Sequence, residues 1–394
     1  MESKSREPVR PFVVMAKPVG SRCNLACQYC YYNRTDNNSE PPALHQQHMA
    51  DELLELFIRQ YIEASAGPEV QIVWHGGEPT LAGLDFFRRV VELQKRYLPE
   101  GWSCRNNLQT NGVLLDEKWA AFIAEARFDV GLSIDGVESL HDQYRKDYGG
   151  KGSYKNAIAA NRRLQAHGVQ PDLLCTVNSS TAKEPLAVYR ALRELDTGWI
   201  QFIPVVRRDS EGNLSPDSVT ADGYGDFLKL IFDEWALHDI GRLDVQLFAE
   251  AARVWSGAAA GLCWMAPSCG RALIVEMDGA VYSCDHYVYP KYRIGDIKTC
   301  HLRDLVELPV QISFGDNKRK LPEECLTCPW LSVCNGGCPK DRFAAEEGGG
   351  PPLNHLCAGL RSFFAHAHPI AMQILRLARS GLSPAAIMRE IRRD

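Results

Sequence analysis

The sequence predicts an α/β protein: an open, partial barrel of about six strand–helix units, followed by a cysteine-rich, loop-rich region. Over the first two hundred residues, short apolar runs alternate with longer amphipathic stretches, a pattern typical of βαβ units around a parallel sheet. From residue 263 onward, cysteines become frequent and the regular alternation stops. Because about six units are too few to close an eight-stranded barrel, we expect the barrel to remain open.

The elements follow from hydrophobic spacing. The predicted strands are Phe12–Ala16, Val70–Trp74, Arg105–Gln109, Val130–Ile134, Asp172–Val177 and Trp199–Val205. The predicted helices between them are Asp51–Ala64, Leu84–Tyr97, Glu117–Glu125, Tyr154–His167 and Pro185–Leu195. The predicted domains are the barrel (1–206), a bridging segment with helices near 227–238 and 245–252 (207–262), the cysteine-rich region (263–375) and a solvated helical tail (376–394).

Composition excludes several classes of protein. With 394 residues, 45% hydrophobic and 24% charged, the chain has the profile of a globular protein. A net charge of −5 gives no basic footprint for nucleic acid, and no stretch approaches the ~18 apolar residues of a membrane span. The first residues lack the apolar core of a signal peptide. Fourteen cysteines without an export signal indicate reduced thiols that bind metal, so we expect a cytoplasmic protein.

Three cysteines lie directly after the first predicted strand. Cys23, Cys27 and Cys30 have the spacing C-x3-C-x2-C, which lets one tight loop direct three thiolates towards a common centre. Three cysteines can hold three irons of a 4Fe–4S cluster and leave the fourth iron open, since the usual complement is four. The spacing alone also allows a zinc site completed by a distant His or ordinary buried thiols.

Several strand ends carry unusual residues. His75-Gly76-Gly77-Glu78-Pro79 follows the second strand, and two glycines let the backbone approach a ligand closely. Ser133 ends the fourth strand, the turn dipeptide Asp135-Gly136 follows it, and Arg145 comes shortly after. Each segment alone is more often a turn than a site. However, the carboxyl ends of such strands are where functional residues gather.

The cysteine spacing, with Tyr29 before the last cysteine, resembles the signature of the radical S-adenosylmethionine (SAM) superfamily. That resemblance implies a partial barrel and SAM chelated by the open iron. The Gly-Gly-Glu-Pro segment matches the superfamily motif that meets the SAM amino group. Following the superfamily, we expect Ser133 at the ribose, Val206 at the adenine and Arg145 at the carboxylate, which suits its bidentate fork. The full set of expected SAM contacts is Tyr29, Gly76, Gly77, Glu78, Ser133, Arg145 and Val206.

The cysteine-rich region holds eight further candidate ligands. Asp278-Gly279 predicts a two-residue hairpin, which would set Cys284 opposite Leu273 and near Cys269. Eight cysteines make two complete Cys₄ sets, and spacing alone leaves zinc and iron–sulfur open. Cys104, Cys175 and Cys300 fall outside these sets and are interpreted as small apolar residues. The eight candidates are Cys263, Cys269, Cys284, Cys325, Cys328, Cys334, Cys338 and Cys357.

The order of these cysteines resembles the twin-cluster SPASM extension of peptide-modifying radical SAM enzymes, which favours iron–sulfur. It implies three 4Fe–4S clusters in all, one that binds SAM and two auxiliary. The first auxiliary set implied by the resemblance is Cys263, Cys269, Cys284 and Cys338. The second is Cys325, Cys328, Cys334 and Cys357.

Asp285 directly follows Cys284, and the order Cys-Asp-x-Tyr-Val resembles the anaerobic sulfatase-maturating enzymes. In that family the Asp at this place deprotonates the substrate, so Asp285 is the expected catalytic residue. His286 is a second candidate base, because imidazole titrates near neutrality.

The same resemblance implies the reaction and its partners. An external donor of the flavodoxin or ferredoxin type supplies an electron that splits SAM into methionine and a 5′-deoxyadenosyl radical. The radical takes a hydrogen from the Cβ of Cys or Ser in a Cys/Ser-x-Pro-x-Arg motif of a sulfatase polypeptide. Asp285 takes the thiol or hydroxyl proton, the second electron leaves through the auxiliary clusters, and formylglycine results.

Two alternatives remain. Another SPASM enzyme could form thioether or carbon–carbon crosslinks in a ribosomal peptide. Such enzymes usually carry an N-terminal recognition domain, for which the residues before Cys23 are too few. A multi-cluster electron carrier or zinc-binding protein without SAM chemistry would leave Ser133, Arg145 and the Gly-Gly-Glu-Pro segment unexplained.

Overall fold

The computed structural model of the chain describes residues 10–33, 48–208, 211–344 and 350–391. Residues 1–9 of the predicted barrel and 392–394 of the predicted tail lie outside this part. The strands are β1 (Val13–Ala16), β2 (Glu69–Trp74), β3 (Ser103–Thr110), β4 (Asp129–Ser133), β5 (Asp172–Val177), β6 (Trp199–Pro204), β7 (Asp244–Val245), β8 (Ala272–Val275), β9 (Ala280–Tyr282), β10 (Arg293–Asp296), β11 (Arg342–Ala344) and β12 (Leu353–Asn354).

The helices are α1 (Asp51–Ala64), α2 (Leu84–Tyr97), α3 (Glu117–Ala126), α4 (Glu138–Tyr144), α5 (Tyr154–Ala166), α6 (Pro185–Arg193), α7 (Ala221–His238), α8 (Gln246–Trp255), α9 (Leu302–Val306), α10 (Pro309–Asp316), α11 (Glu323–Leu326), α12 (Leu331–Cys334), α13 (Cys357–Arg379) and α14 (Ile387–Ile391). The six predicted strands and the helices between them are confirmed, with ends within two residues. Among the described residues, no helix is both long and apolar enough to cross a membrane.

Within the described residues, ten strands form one open sheet, in the order β10-β9-β8-β1-β2-β3-β4-β5-β6-β7. Strands β1 to β6 are parallel and adjacent in chain order, which is the predicted partial barrel. In addition, β8 pairs parallel with β1, so the cysteine-rich region continues the barrel sheet. The carboxyl ends of β8, β1 and β2 therefore lie side by side.

The helices pack on the sheet through apolar stripes. In α1 the buried residues Leu54, Phe57, Ile58 and Tyr61 recur at the spacing of one helical face. Trp74 of β2 is fully buried among these helices, with its ring centroid 6.1 Å from that of Phe57. The apolar residues whose spacing predicted α1 are thus the residues that the helix buries against the sheet.

The hairpin of β8 and β9 has a longer turn than predicted. Val275 pairs with Val281 and Ile274 with Tyr282, so the turn contains one residue more than the Asp-Gly pair. Gly279 has φ of 92°, and a left-handed glycine ending a three-residue turn is a common hairpin form. Continuing this register sets Cys284 opposite Ala272, so the predicted pairing with Leu273 was wrong by one residue.

The C-terminal region is packed rather than fully solvated. Helix α13 continues to Arg379, across the predicted boundary at residue 375. It crosses α7 at two glycines, where a Cβ on Gly359 would lie 1.9 Å from the Ala221 carbonyl oxygen. In α14, Ile387 is fully buried, which corrects the prediction of a simple solvated helix for this segment.

Candidate active site

The loop after β1 brings Cys23, Cys27 and Cys30 to the wall of a large cavity at the carboxyl end of the sheet. The cavity has a volume of about 1660 Å³. Burial raises the pKa of the Cys23 thiol to about 12, and the nearby Cys27 and Cys30 thiols add to the rise. The three thiols therefore line one cavity and influence one another electrostatically. A metal centre bound here would have to displace their protons.

Gly76 and Gly77 pack against the cysteine loop. Gly77 donates its N–H to the Gly20 carbonyl (2.9 Å), and Glu78 donates its N–H to the Arg22 carbonyl (2.8 Å). A Cβ on Gly77 would lie 1.9 Å from the Arg22 oxygen, and one on Gly76 would lie 2.7 Å from the Gly20 oxygen. The close approach that the glycines allow is thus made by the cysteine loop itself. Both glycines line the cavity, and their contact with SAM stays a prediction.

The Glu78 carboxylate ties the segment after β2 to the end of β3. Its Oε1 accepts hydrogen bonds from the Thr80 N–H (3.1 Å) and from the Thr80 and Thr110 hydroxyls (2.6 and 2.9 Å). Its Oε2 accepts the Asn111 N–H at 2.8 Å. Because Oε1 has no acceptor position left, the predicted contact with the SAM amino group is open only to Oε2.

Arg145 is held by a buried carboxylate that the sequence analysis treated as part of a turn. Its Nε donates to Oδ2 of Asp135 (2.7 Å) and its Nη2 to Oδ1 (3.1 Å). The Tyr29 hydroxyl donates to Oδ2 (2.5 Å) and the Thr176 N–H to Oδ1 (2.8 Å). Burial, the largest single influence, acts to raise the pKa of Asp135, but the charge and hydrogen bonds of Arg145, with smaller contributions from His141 and Tyr29, together outweigh it and keep that pKa below its usual range. The pair fixes the guanidinium at the cavity wall.

The remaining predicted SAM contacts also border the cavity. Ser133, at the end of β4, accepts a hydrogen bond from the Gln109 amide at 3.4 Å. Val206 is buried just beyond β6. The cavity thus brings together Tyr29, Gly76, Gly77, Glu78, Ser133, Arg145 and Val206.

Asp285 begins a short 3₁₀ turn after β9 and also faces the cavity. The Lys17 ammonium lies 2.7 Å from its Oδ1, and the Tyr31 hydroxyl donates to its Oδ2 at 2.6 Å. Burial, the largest single influence, acts to raise the pKa of Asp285, but Lys17 and the smaller influences of His75 and His286 together outweigh it and hold that pKa well below the usual range. Asp285 is therefore an ionised carboxylate at neutral pH, with a fixed orientation.

The surroundings of Asp285 come from three adjacent strand ends. Ala16 pairs with Trp74 of β2 and with Val275 of β8, so the next residues, Lys17, His75 and Glu276, share one row. The ammonium of Lys17, which is fully buried, lies 3.5 Å from the Glu276 carboxylate. The row therefore places one cation, Lys17, and one further carboxylate, that of Glu276, beside Asp285.

His75 in the same row is a neutral imidazole. Its Nδ1 accepts the Gly76 N–H at 2.7 Å, which leaves the ring proton on Nε2. Burial lowers the pKa of His75, with Asp285 acting against the change and Lys17 with it. His286, the second candidate base, also borders the cavity, and its ring centroid lies 6.1 Å from that of Tyr31.

Sequence reasoning missed Lys17, Tyr31 and Asp135 as parts of this site. Lys17 had a usable signal, since a charged residue directly after a buried strand lies at the functional edge of a parallel sheet. Tyr31 directly follows Cys30, but its partner Asp285 is 254 residues away in the chain, so no local signal pointed to the contact. Asp135 was hidden by its glycine neighbour, because Asp-Gly usually marks a turn.

Four thiols from separate segments of the cysteine-rich region line the same cavity. They belong to Cys263, Cys269, Cys284 and Cys338. Burial raises the pKa of each. The Cys338 and Cys263 thiols add to the rise at Cys284, and the Cys263 thiol adds to the rise at Cys269. The structure thus brings these four predicted ligands together.

A second group contains the other four predicted ligands. Burial raises the pKa of Cys325 to about 11 and that of Cys334 to about 12. The Cys357 and Cys328 thiols add to both rises. Cys357 is the first residue of α13, so the packing of that helix on α7 positions the last member of the group.

The spacing within these groups bears on the zinc alternative. Among the described residues, no three His, Cys, Asp or Glu side chains converge closely enough to hold a single metal ion. Zinc needs sulfur ligands about 2.3 Å from one ion, whereas the cysteines of a cubane cluster bind different irons. The family match given below, rather than this spacing, implies iron–sulfur for these groups.

The three remaining cysteines pack as apolar side chains. Cys175 of β5 is fully buried, and Cys104 of β3 and Cys300 pack against the core. Burial raises the pKa of Cys104 to about 12, with a smaller contribution from Glu69. This agrees with their expected role.

Two family models match the chain. The radical SAM superfamily matches residues 18–190, which hold Cys23, Gly77, Ser133 and Arg145. The SPASM iron–sulfur cluster-binding domain matches residues 263–329. Together the matches hold eight of the eleven predicted cysteine ligands, and Cys334, Cys338 and Cys357 lie beyond the second match.

Curated relatives and solved structures extend the similarity over nearly the whole chain. A serine-type anaerobic sulfatase-maturating enzyme of Bacteroides thetaiotaomicron is 39% identical over 97% of this chain and 96% of that protein. A cysteine-type enzyme of Clostridium perfringens is 34% identical over 91% and 97%. The solved structure of native anSMEcpe with bound AdoMet and the Cp18Cys peptide matches with a TM-score of 0.84 at 33% identity, over 93% of this chain and 99% of that one. The chain therefore belongs to the radical SAM family of anaerobic sulfatase-maturating enzymes.

Proposed function

We propose that the chain oxidises a Cys or Ser residue within a sulfatase Cys/Ser-x-Pro-x-Arg motif to formylglycine. The observation that carries the proposal is the ionised, oriented Asp285 carboxylate in the same cavity as the Cys23, Cys27 and Cys30 thiols. The full-length relatives are named for sulfatase maturation, in both serine and cysteine types. Their names therefore leave both substrate residues open.

The radical SAM and SPASM matches imply iron–sulfur clusters, and we propose three of the 4Fe–4S type. The Cys23, Cys27 and Cys30 thiols would hold the one that binds SAM. The grouping of the other eight thiols supports two auxiliary clusters with four protein ligands each. The first would be held by Cys263, Cys269, Cys284 and Cys338, and the second by Cys325, Cys328, Cys334 and Cys357.

The SAM contacts are proposed on the lining of the cavity. Nε and Nη2 of Arg145 already donate to Asp135. Arg145 would therefore bind the SAM carboxylate through the edge of its guanidinium that Asp135 leaves open. Glu78 would use Oε2, and Gly76 and Gly77 their backbone. Tyr29, whose hydroxyl donates to Asp135, Ser133 and Val206 would border the remainder of the molecule.

The cofactors, when bound, supply the 5′-deoxyadenosyl radical and the electron transfers. The chain contributes the base. Asp285 would accept the substrate thiol or hydroxyl proton, while Lys17 and Tyr31 hold the carboxylate in place. The cavity walls would keep water away from the reacting C–H bond.

Partners and domains complete the proposal. The related anSMEcpe structure contains bound AdoMet and a bound peptide, and we propose that a sulfatase polypeptide binds in the cavity of this chain. Electrons would come from a donor of the flavodoxin or ferredoxin type.

The barrel is proposed to end near residue 206 and the SPASM region to begin near residue 263, with a bridging segment between them and a tail after residue 375.

The test is an anaerobic assay of iron-loaded, reduced protein with SAM and one of two peptides, which contain Cys-x-Pro-x-Arg or Ser-x-Pro-x-Arg. Mass spectrometry would follow 5′-deoxyadenosine and the peptide. We expect both deoxyadenosine and the mass loss of Cys conversion to formylglycine. In Asp285→Asn we expect deoxyadenosine to form while formylglycine falls by about 10²-fold or more, the range in which proton transfer contributes to catalysis.

Asp304→Asn is the matched control, because Asp304 is an exposed carboxylate in the same region. It should retain wild-type activity. Deoxyadenosine without change in either the Cys or the Ser peptide would overturn the substrate assignment. Full formylglycine production by Asp285→Asn would overturn the role of Asp285.

A further inference from the structure

The cysteine-rich region contains a buried lysine whose charge the proposed reaction does not use. Lys318 is 1% exposed. Its ammonium donates to the carbonyls of Cys263 and Trp264 (2.9 Å each) and also to that of Ala266. These three donors hold the backbone that carries Cys263, a predicted ligand of the first auxiliary cluster.

In the part of the chain that the structure describes, Lys318 has no carboxylate partner within ion-pairing distance. The groups with the strongest electrostatic influence on it are the Cys269, Cys263 and Cys338 thiols and the Arg342 guanidinium. A buried cation without an anion is costly. Hydrogen bonds to neutral carbonyls satisfy its donors but leave its charge uncompensated.

Arg342 repeats the arrangement between the two groups of thiols. Its guanidinium donates to five backbone carbonyls, those of Gly336, Lys318, Lys320, Asn335 and Gly337, at 2.8 to 3.3 Å. Among the described residues it too has no ion-paired carboxylate. The Cys325, Cys338, Cys334 and Cys269 thiols are the nearby groups that favour its charge.

We propose that Lys318 and Arg342 are built-in counter-charges for the auxiliary iron–sulfur clusters, and that Lys318 raises the reduction potential of the first one. This inference rests on the ligand sets of the proposed function. A cluster with four thiolate ligands is an anion, and it supplies the negative charge that both buried cations lack. Three of the four ligands of the first cluster, Cys263, Cys269 and Cys338, act electrostatically on Lys318, and the Cys263 carbonyl accepts one of its hydrogen bonds.

A fixed cation favours the reduced cluster, because reduction adds negative charge next to it. Net charge and hydrogen bonding around a cluster are the means by which a protein sets its potential. The effect of Lys318 should be larger on the first cluster, since the thiols that influence Lys318 all belong to that set, whereas Arg342 is influenced by thiols of both sets. The cluster beside Asp285 would therefore be the more readily reduced of the auxiliary pair. The difference in potential would set the order in which the two auxiliary clusters accept the second electron of the proposed reaction.

The test compares wild-type holoenzyme with Lys318→Gln, which removes the charge and keeps an amide donor. Midpoint potentials are measured by EPR-monitored redox titration, and the signal that SAM perturbs identifies the SAM-binding cluster. We expect one of the two SAM-insensitive signals to shift to a more negative potential. The expected change in its reduction equilibrium is about tenfold, or about 59 mV for a one-electron couple.

Lys320→Gln is the matched control, since Lys320 is exposed in the same turn and its removal changes the net charge equally. It should leave all three potentials unchanged. Full iron content with unshifted potentials in Lys318→Gln would overturn this inference and leave the proposed ligand sets intact. Wild-type iron sufficient for only one cluster would overturn both.

Iron analysis of Lys318→Arg covers the case in which Lys318→Gln fails to load a cluster. Loss of one cluster's iron in Lys318→Gln, with retention in Lys318→Arg, would show that the positive charge is required and would support the inference. Loss of the same iron in both variants would show a requirement for the shape of lysine alone and would overturn it.

Discussion

Replacing Asp135 by Asn should destabilise the protein far more than loss of an ordinary ion pair. Asp135 is fully buried and accepts four hydrogen bonds, two of them from Arg145. Asn keeps the shape but removes the charge and turns one acceptor into a donor that faces another donor. The Arg145 cation is then left buried without its counter-charge, which typically costs about 3–5 kcal/mol.

Asp129→Asn provides the comparison. Asp129 pairs with Arg105 across β3 and β4, but both side chains are more than a third exposed, and exposed pairs contribute about 0–1 kcal/mol. Anaerobic denaturation of the iron-loaded variants at pH 7 would measure both changes. A loss in Asp135→Asn no larger than that in Asp129→Asn would refute the reasoning.

The pH dependence gives a second check on the same pair. The pKa of Asp135 lies below its ordinary value of 3.8 in the folded chain, so its contribution to stability is present above that value and is lost as pH falls below it. The stability difference between wild type and Asp135→Asn should therefore stay constant from pH 8 to about pH 5 and shrink under more acidic conditions. A difference that shrinks already near neutrality would contradict this.

Two further predictions concern iron binding. Gly77→Ala should reduce the iron content by about one cluster, because the new Cβ would lie 1.9 Å from the Arg22 oxygen in the cysteine loop. The control Gly149→Ala should leave the iron content unchanged, since the nearest neighbour of its Cβ would be a side-chain oxygen at 3.3 Å. Equal iron content in both variants would contradict the packing argument. Cys300→Ala should retain all iron and Cys334→Ala should lose a cluster's worth; iron loss in Cys300→Ala would show that the ligand sets are wrong.

Local patterns were sufficient for the barrel elements. Helices α1 and α2 have the bounds that their hydrophobic periodicity predicted, because burial of one helical face is encoded within each segment. The two cysteine groups were anticipated from the resemblance to the SPASM extension, whereas spacing alone gave only eight candidate ligands without dividing them into sets. The hairpin of β8 and β9 was placed correctly but slipped by one residue. Asp-Gly favours a turn without fixing its length, and the left-handed Gly279 accommodates the longer form.

Long-range pairs could not be read from the sequence. Tyr31 and Asp285 are 254 residues apart and meet because β8 aligns with β1. No local signal predicts that alignment, since both strands are short apolar runs of ordinary composition. Asp135 was interpreted as a turn residue for the same reason: its partner Arg145 lies beyond a helix, and only burial shows that the two charges require each other.

The pairing of β8 with β1 limits how this enzyme can be re-engineered. Transplanting the SPASM region from another enzyme would replace β8, and with it the strand that aligns Glu276 with Lys17. A graft shifted by one residue would turn the transplanted side chains to the opposite face of the sheet and carry Asp285 away from its cation. Chimaeras should therefore be joined within the bridging segment and matched strand by strand at β1. Matching the loop lengths alone would not preserve the register between β8 and β1.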